Sequence, residues 1–172
     1  MPILKHMPGH GRGAVDSHHE LPAVAASKDE LGGADFSPFK TLCHMPWGMT
    51  AHIVFEDIDP DYPATQSKIV IDDIIRGQIG FDGLLLTDDL NMNALSGSLG
   101  DRAVRAQDAG IDIILHCSGK LDEMREVARA CRPISEPVIQ RINAGISVTS
   151  AALVIKNTEN LKEELAQLLA LV

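Results

Sequence analysis

The sequence predicts an α/β fold in which parallel strands are buried between helices. Short unbroken aliphatic runs alternate with helical patterns along the 172 residues. Phe, Trp and Tyr make up only 3% of the chain, so Ala, Val, Ile and Leu must form the core. This aliphatic bias favours parallel strands covered by helices over an antiparallel sandwich. The alternation of elements implies right-handed crossovers between neighbouring strands.

Four strands are predicted from these aliphatic runs, which are bounded by Gly, Asp or Lys. They lie at residues 3–4, 48–55, 83–87 and 111–115. The first run is shorter than an average strand, which has about five or six residues. We therefore expect the sequence to begin inside a strand.

Helices are predicted between and after the strands. Ser67 can cap a helix that ends near Gly77, and a second helix is expected from Asp101 to Gly110. Further helices are expected at 121–131, 137–153 and 157–171. About four βα units result, half of a (β/α)8 TIM barrel, which needs about 250 residues. We assign residues 1–155 to the half barrel and residues 156–172 to a closing C-terminal helix.

Charge and composition exclude several classes of partner. The net charge is −9, and no run of Lys or Arg forms a basic stripe. Nucleic acid and anionic membranes are therefore not expected as partners. No apolar run approaches the ~20 residues that span a bilayer. Three widely spaced cysteines and the lack of an export signal lead us to expect a cytoplasmic protein with free thiols.

A loop rich in glycine and proline follows the first strand and contains Asp16 and His18. Two residues apart, their side chains can meet in a turning segment. A carboxylate that binds an imidazole orients the ring and raises its basicity. Such a pair could donate a proton to a leaving group and later activate water. The alternative is a polar, solvent-exposed loop without a catalytic role.

Two adjacent carboxylates, Asp88 and Asp89, end the strand at 83–87. Parallel α/β sheets place their ligands at this end of the strands. Asp88 could be a nucleophile, and Asp89 could accept hydrogen bonds from nearby backbone N–H groups. Alternatively, both residues cap the following helix.

Histidines raise the possibility of a metal site, because His6, His10, His18 and His19 lie in one segment. No H-E-x-x-H helix or close Cys/His spacing accompanies them, so a histidine-lined polar pocket is the preferred interpretation. His52 and His116 are expected in the pocket wall or the core, and no cofactor is predicted.

Several motifs taken together resemble glycoside hydrolase family 3, in its bacterial β-N-acetylglucosaminidase branch. Residues 5–11 (KHMPGHG) and 16–18 (DSH) resemble the signature K-H-F-P-G-H-G…D-S-H. Residues 49–52 (MTAH) are similar to an M-P-A-H strand, and residues 80–92 resemble G-F-D-G…S-D-D-L-S-M. Residues 108–112 (DAGID) match D-A-G-x-D. The similarity runs from about residue 3 to residue 150.

The resemblance implies a role for each matched residue. Asp88 would be the nucleophile, His18 the acid/base and Asp16 the group that orients His18. Lys5 and His6 would bind hydroxyl groups of N-acetylglucosamine. The implied reaction is a double displacement with retention through a covalent glycosyl-enzyme. The implied substrates are N-acetylglucosamine-containing muropeptides or glycosides from cell-wall turnover.

The departures from the family pattern leave three hypotheses open. Met7 replaces an aromatic residue, and the D-Q-E-G-G-R segment and Arg that bind the sugar in the family's first half are missing. In the first hypothesis, the chain corresponds to strands five to eight and is active only with a complementing N-terminal half. In the second, it is a non-catalytic remnant that binds a sugar or a partner chain, or forms a homodimer to bury its edges. A metal-dependent hydrolase is the third hypothesis.

Overall fold

A four-stranded parallel sheet forms the centre of the computed structural model, which describes residues 2–152 and 166–167. Its strands occur in the order β1-β3-β5-β6, as the sequence predicts for consecutive βα units. A separate parallel pair joins β2 to β4. The strands are β1 (Leu4–Met7), β2 (Ala23–Val24), β3 (Trp47–Thr50), β4 (Val54–Phe55), β5 (Leu84–Asp89) and β6 (Ile113–Leu115).

Five α-helices, a 3-10 turn and a π-helix surround the sheet within the described residues. The α-helices are α1 (Lys28–Gly33), α2 (Ser37–Thr41), α3 (Leu99–Ala109), α4 (Leu121–Ala130) and α5 (Glu136–Ala152). The 3-10 turn is Ala64–Gln66, and the π-helix is Val70–Gln78. The helix expected at 157–171 and the boundary set at residue 155 lie outside the described residues, except for 166–167, which are helical. None of the described helices combines the length and the apolar character needed to cross a membrane.

Both faces of the central strand β5 are covered. Leu85 points to a cluster that includes Ile74 and Ile75 of the π-helix and Ala106 of α3. Leu84 and Leu86 belong to a second cluster on the opposite face, where Val138 and Ile142 of α5 pack. The unbroken aliphatic sequence of β5 thus reflects burial on two sides, as is typical of a parallel strand.

The predicted strand 48–55 is wrong as a single element, because the chain passes from one sheet to the other within it. The N–H of Ala51 still binds the carbonyl of Met7 at 2.8 Å beside β1. Three residues later, the N–H of Val54 binds the carbonyl of Pro22 at 2.9 Å, next to β2. His52 lies between these two hydrogen-bonded residues and is fully buried.

Serine side chains cap α3 and the helical segment that leads into the π-helix. The predicted start of α3 at Asp101 is wrong by two residues. Ser98 is the cap: its Oγ accepts from the N–H of Asp101, whose carboxylate in turn binds the N–H of Ser98. The predicted cap Ser67 is confirmed, since its Oγ accepts from the N–H of Val70 at 3.0 Å. Gly110 ends α3 with φ at 113°, as predicted.

The two outer strands of the sheet are β1 and β6, and each has a hydrogen-bonded strand neighbour on one side only within the described residues. Strand β1 is longer than expected and includes Lys5 and His6. An eight-stranded barrel built on this sheet would therefore need four further strands, added between β6 and β1.

Candidate active site

The polar side chains singled out in the sequence lie at the C-terminal ends of the four parallel strands. His6 lies near the end of β1, His52 follows β3, Asp88 lies in β5 and His116 follows β6. Because parallel strands end at one edge of a sheet, this edge gathers residues that are far apart in sequence. It is also the edge at which (β/α)8 enzymes place their chemistry.

The carboxylate of Asp88 lies at the centre of this edge. Its Oδ2 is 3.3 Å from Nε2 of His6, and its Oδ1 accepts the N–H of Asp89 at 2.8 Å. Burial lowers the pKa of His6, while the charge of Asp88 opposes this shift. A neutral His6 that faces a carboxylate must carry its hydrogen on Nε2, because the carboxylate can only accept. Asp88 thus has one hydrogen-bond donor, the N–H of Asp89, and an imidazole at ion-pair distance, and it remains 21% exposed.

Asp16 and His18 form the predicted pair within the loop after β1. Nδ1 of His18 lies 2.8 Å from Oδ1 of Asp16, which also accepts the backbone N–H of His18 at 2.9 Å. These two hydrogen bonds, the backbone one first, lower the pKa of Asp16. The ionised carboxylate directs the ring hydrogen to Nδ1, so that Nε2 is the atom free to exchange a proton. Both side chains are largely exposed, at 60% for Asp16 and 71% for His18.

The electrostatic environment of His6 links the loop pair to Asp88. His18, His10 and the exposed Lys5 all contribute to lowering the pKa of His6. The ring of His10 meets that of His6 edge-on, with centroids 6.0 Å apart. The charges of Lys5, His18 and Asp88 therefore all act on the ring of His6.

Asp89 supports the site from behind, in the role that the sequence suggested for it. Its Oδ1 accepts the N–H groups of Asn91 at 3.1 Å and Cys117 at 3.0 Å. Its carbonyl lies 3.1 Å from Nε2 of His52. Since a carbonyl only accepts, Nε2 of His52 carries the hydrogen. The pKa of His52 is lowered, mainly by burial, so its Nδ1 is an acceptor.

Thr65 is a supporting residue that the sequence patterns did not identify. Its fully buried hydroxyl lies 2.8 Å from Nδ1 of His52, 2.9 Å from Oγ1 of Thr50 and 3.0 Å from the carbonyl of Ala51. The hydroxyl carries one hydrogen and faces two acceptors, Nδ1 of His52 and the carbonyl of Ala51, and the shorter contact of 2.8 Å assigns that hydrogen to His52. Its position in a 3-10 turn, 13 residues after His52, leaves no local sequence signal.

A cavity of about 630 Å³ lies at the opposite end of the sheet. Pro46, Gly83 and Arg141 line it, in the loops before β3 and β5 and in α5. None of the predicted site residues borders this cavity. Across residues 2–152 and 166–167, no group of three or more His, Cys, Asp or Glu side chains is placed to hold a metal ion.

Comparisons with known proteins place these motifs in one family. The family model described as the glycosyl hydrolase family 3 N terminal domain matches residues 1–148. A β-hexosaminidase of Alkalilimnicola ehrlichii is 44% identical over 120 residues, which are 67% of this chain and 34% of that protein. A β-hexosaminidase of Shewanella frigidimarina is 34% identical over 98% of this chain and 50% of its own length.

Solved structures agree with this relationship. A glycoside hydrolase family 3 β-N-acetylglucosaminidase from a Paenibacillus species matches with a TM-score of 0.74 and 33% identity, over 86% of this chain and 30% of its own. NagZ from Neisseria gonorrhoeae, in complex with N-trifluoroacetyl-D-glucosamine, matches with a TM-score of 0.72 and 33% identity. That match covers 89% of this chain and 46% of NagZ. The chain thus spans half or less of the length of these relatives.

Proposed function

The chain belongs to glycoside hydrolase family 3, and we propose that it carries the bond-cleaving half of a retaining β-N-acetylglucosaminidase. The observation that carries this proposal is a carboxylate at the C-terminal end of β5 together with an oriented imidazole in the loop after β1. The N–H of Asp89 binds Asp88, whose Oδ2 lies 3.3 Å from His6, and Asp16 binds Nδ1 of His18 and leaves Nε2 for proton exchange. A nucleophile and a proton carrier are the two groups that a double displacement requires.

In the first step, an oxygen of Asp88 attacks the anomeric carbon and the glycosidic bond breaks. His18 enters this step with both ring nitrogens protonated, gives the proton on its Nε2 to the departing oxygen and becomes neutral. In the second step, Nε2 of His18 takes a proton from water, whose oxygen displaces Asp88 from the sugar. Asp16 keeps the other ring nitrogen protonated and stabilises the transient positive charge on the ring.

Lys5 and His6 are the proposed sugar-binding residues. Lys5 is exposed in β1, where its ammonium can donate to hydroxyl groups. Nε2 of His6 lies 3.3 Å from Asp88, and its side chain is 30% exposed. The proposed substrates are β-linked N-acetylglucosaminides, in line with the name of the related β-N-acetylglucosaminidase, and we propose muropeptides as the natural ones.

We assign the sheet to strands five to eight of the barrel, with the sugar-binding residues of the first half supplied by a second chain segment. A complementing N-terminal half or a second copy of this chain would add strands at the free edges of β1 and β6. The proposal requires no cofactor. The three free cysteines suit the reducing cytoplasm, where muropeptides would be recycled.

The test is hydrolysis of an activated aryl β-N-acetylglucosaminide by the purified chain, alone and with the N-terminal half of the Shewanella frigidimarina relative. Asp88→Asn is expected to abolish turnover. The matched control is Asp122→Asn, which removes an almost fully exposed carboxylate on α4 and is expected to keep full activity. His18→Ala should retain formation of the glycosyl-enzyme from this substrate, because a good leaving group needs little protonation, and lose turnover only at the second step, where His18 is the base.

Each outcome distinguishes the hypotheses. Activity only with the added half identifies a fragment that needs complementation, whereas activity of the chain alone identifies self-assembly into a working site. Equal loss of glycosyl-enzyme formation in the Asp88 and His18 variants would contradict the assigned roles. A folded chain that is inactive in both settings would identify a remnant. A 5-fluoro glycosyl fluoride should leave a covalent sugar on the peptide containing Asp88, detected by mass spectrometry.

A further inference from the structure

The imidazole of His116 lies beside the carboxylate of Asp89, the last residue of β5. Only 6% of its side chain is exposed. Nδ1 faces Oδ1 of Asp89 at 3.8 Å and has no hydrogen-bond partner among the described residues. Nε2 lies 2.9 Å from Oγ of Ser118 and 3.3 Å from Oε2 of Glu123 in α4. A buried ring thus stands between a carboxylate of the site and a carboxylate of a helix.

The direction of the hydrogen bonds in this cluster follows from its members. Hydrogen bonds from Ser118 and Lys120 lower the pKa of Glu123. The carboxylate of Glu123 can only accept, so the hydrogen on Nε2 of His116 lies between it and Oγ of Ser118, which also accepts the backbone N–H of Lys120. Nε2 is thus joined to Ser118 and Glu123, whereas Nδ1 faces Asp89 at 3.8 Å without a hydrogen bond.

Asp89 transmits the position of this cluster to Asp88. Its Oδ1, the atom that faces His116, also accepts the backbone N–H of Cys117, the residue after His116. Its own N–H holds Oδ1 of Asp88 at 2.8 Å. A shift of the segment after β6 must therefore move the carboxylate of Asp89 and, through the backbone, that of Asp88.

We propose that His116 is a positioning residue: by joining Ser118 and Glu123 it fixes the segment after β6, and with it the Cys117 N–H that binds Asp89 and so holds the Asp88 carboxylate in place. His116 does not touch the substrate in this account. The consequence of the arrangement for catalysis rests on the proposed function, in which Asp88 is the nucleophile. The consequence for the geometry of Asp88 does not.

His6 supplies a readout that needs no enzymatic activity. Because the charge of Asp88 raises the pKa of His6, a displaced Asp88 must let that pKa fall further. Titration of His6 followed by NMR therefore reports the position of Asp88. His116→Leu removes the ring donor while filling similar volume, and is expected to lower the pKa of His6. His116→Gln keeps a donor near Ser118 and should restore the wild-type titration. The exposed His19→Leu is the matched control.

The kinetic arm uses the chain in whichever assembly hydrolyses the aryl substrate. His116→Leu is expected to lower kcat about tenfold with KM changed less than about twofold, because misplacement affects the reacting carboxylate and not sugar binding. His116→Gln should recover most of that loss. Inactivity of the wild-type assembly would count against the proposed function, and the His6 titration would still decide the positioning role.

Two results would overturn the inference. One is a folded His116→Leu protein in which His6 titrates as in the wild type. The other is a His116→Gln protein as impaired as the Leu variant, which would reduce the role of the ring to packing. If His116→Leu does not fold, Glu123→Gln takes its place, with Glu126→Gln of the same helix as control. Glu126 binds the N–H of Gly100 instead, so only the Glu123 change should move the titration of His6.

Discussion

Replacing Thr65 with valine removes one hydroxyl from the support of the site while preserving the shape of the side chain. The hydroxyl is fully buried and lies within 2.8 Å of Nδ1 of His52 and 3.0 Å of the carbonyl of Ala51. Thr50 retains a second partner, the carbonyl of Leu86 at 3.3 Å. Nδ1 of His52 therefore loses the donor that this geometry provides.

The expected cost follows from that loss. A buried polar group without its partner costs about 1–3 kcal/mol, so we expect Thr65→Val to reduce the free energy of unfolding by about 2–3 kcal/mol. With an m-value of about 2 kcal/mol/M, the urea midpoint should fall by about 1 M. The assay is equilibrium unfolding followed by circular dichroism.

Thr41→Val is the matched control, because the hydroxyl of Thr41 is exposed and binds only the carbonyl of Ser37 within its own helix. Its midpoint should shift by less than about 0.3 M. A Thr65 variant that unfolds at the same urea concentration as the Thr41 variant would refute the assignment of Thr65 as the donor to His52.

Two further predictions concern pH and packing. Burial lowers the pKa of His6 and of His52 in the folded protein below the ordinary value of 6.5, so the unfolded chain binds more protons once the pH falls below 6.5. The free energy of unfolding should therefore fall as the pH drops below 6.5, and His52→Gln should flatten this dependence. A flat wild-type profile would contradict the burial of both rings. Gly48→Ala would place its Cβ 2.7 Å from Sδ of Met7, an overpacking that should cost about 1–3 kcal/mol in urea unfolding. Gly11→Ala meets no atom within 4 Å, and an equal cost in both variants would exclude a packing cause.

The parts of the fold that were predictable depend on neighbours in sequence. Ser67 and Gly110 bound their helices as predicted, because a cap acts on backbone groups within one turn. The Ser98–Asp101 capping box is equally local. The predicted start of α3 is late because it rests on Asp101, the acidic member of this box, and not on Ser98. The pairing of Asp16 with His18 follows from a spacing of two residues in a turn.

The parts that escaped prediction depend on distant segments. The break in the predicted strand 48–55 arises because Val54 binds Pro22, more than thirty residues earlier. The contact of Thr65 with His52 needs the 3-10 turn to fold back across the site. The sequence predicts a helix at 137–153 but not that it packs on Leu84 and Leu86. Which side chains support a site depends on tertiary contacts, and these contacts leave no pattern in the local sequence.

The order of the four parallel strands has a consequence for how such enzymes can change. Every group proposed to break or make a bond comes from one uninterrupted stretch, between Lys5 and Asp88, at one edge of β1 to β5. In the proposed barrel, the sugar contacts other than those of Lys5 and His6 come from the other half. That half could then be exchanged during evolution while the bond-breaking half stays intact, so that much of the specificity would be inherited separately from the chemistry.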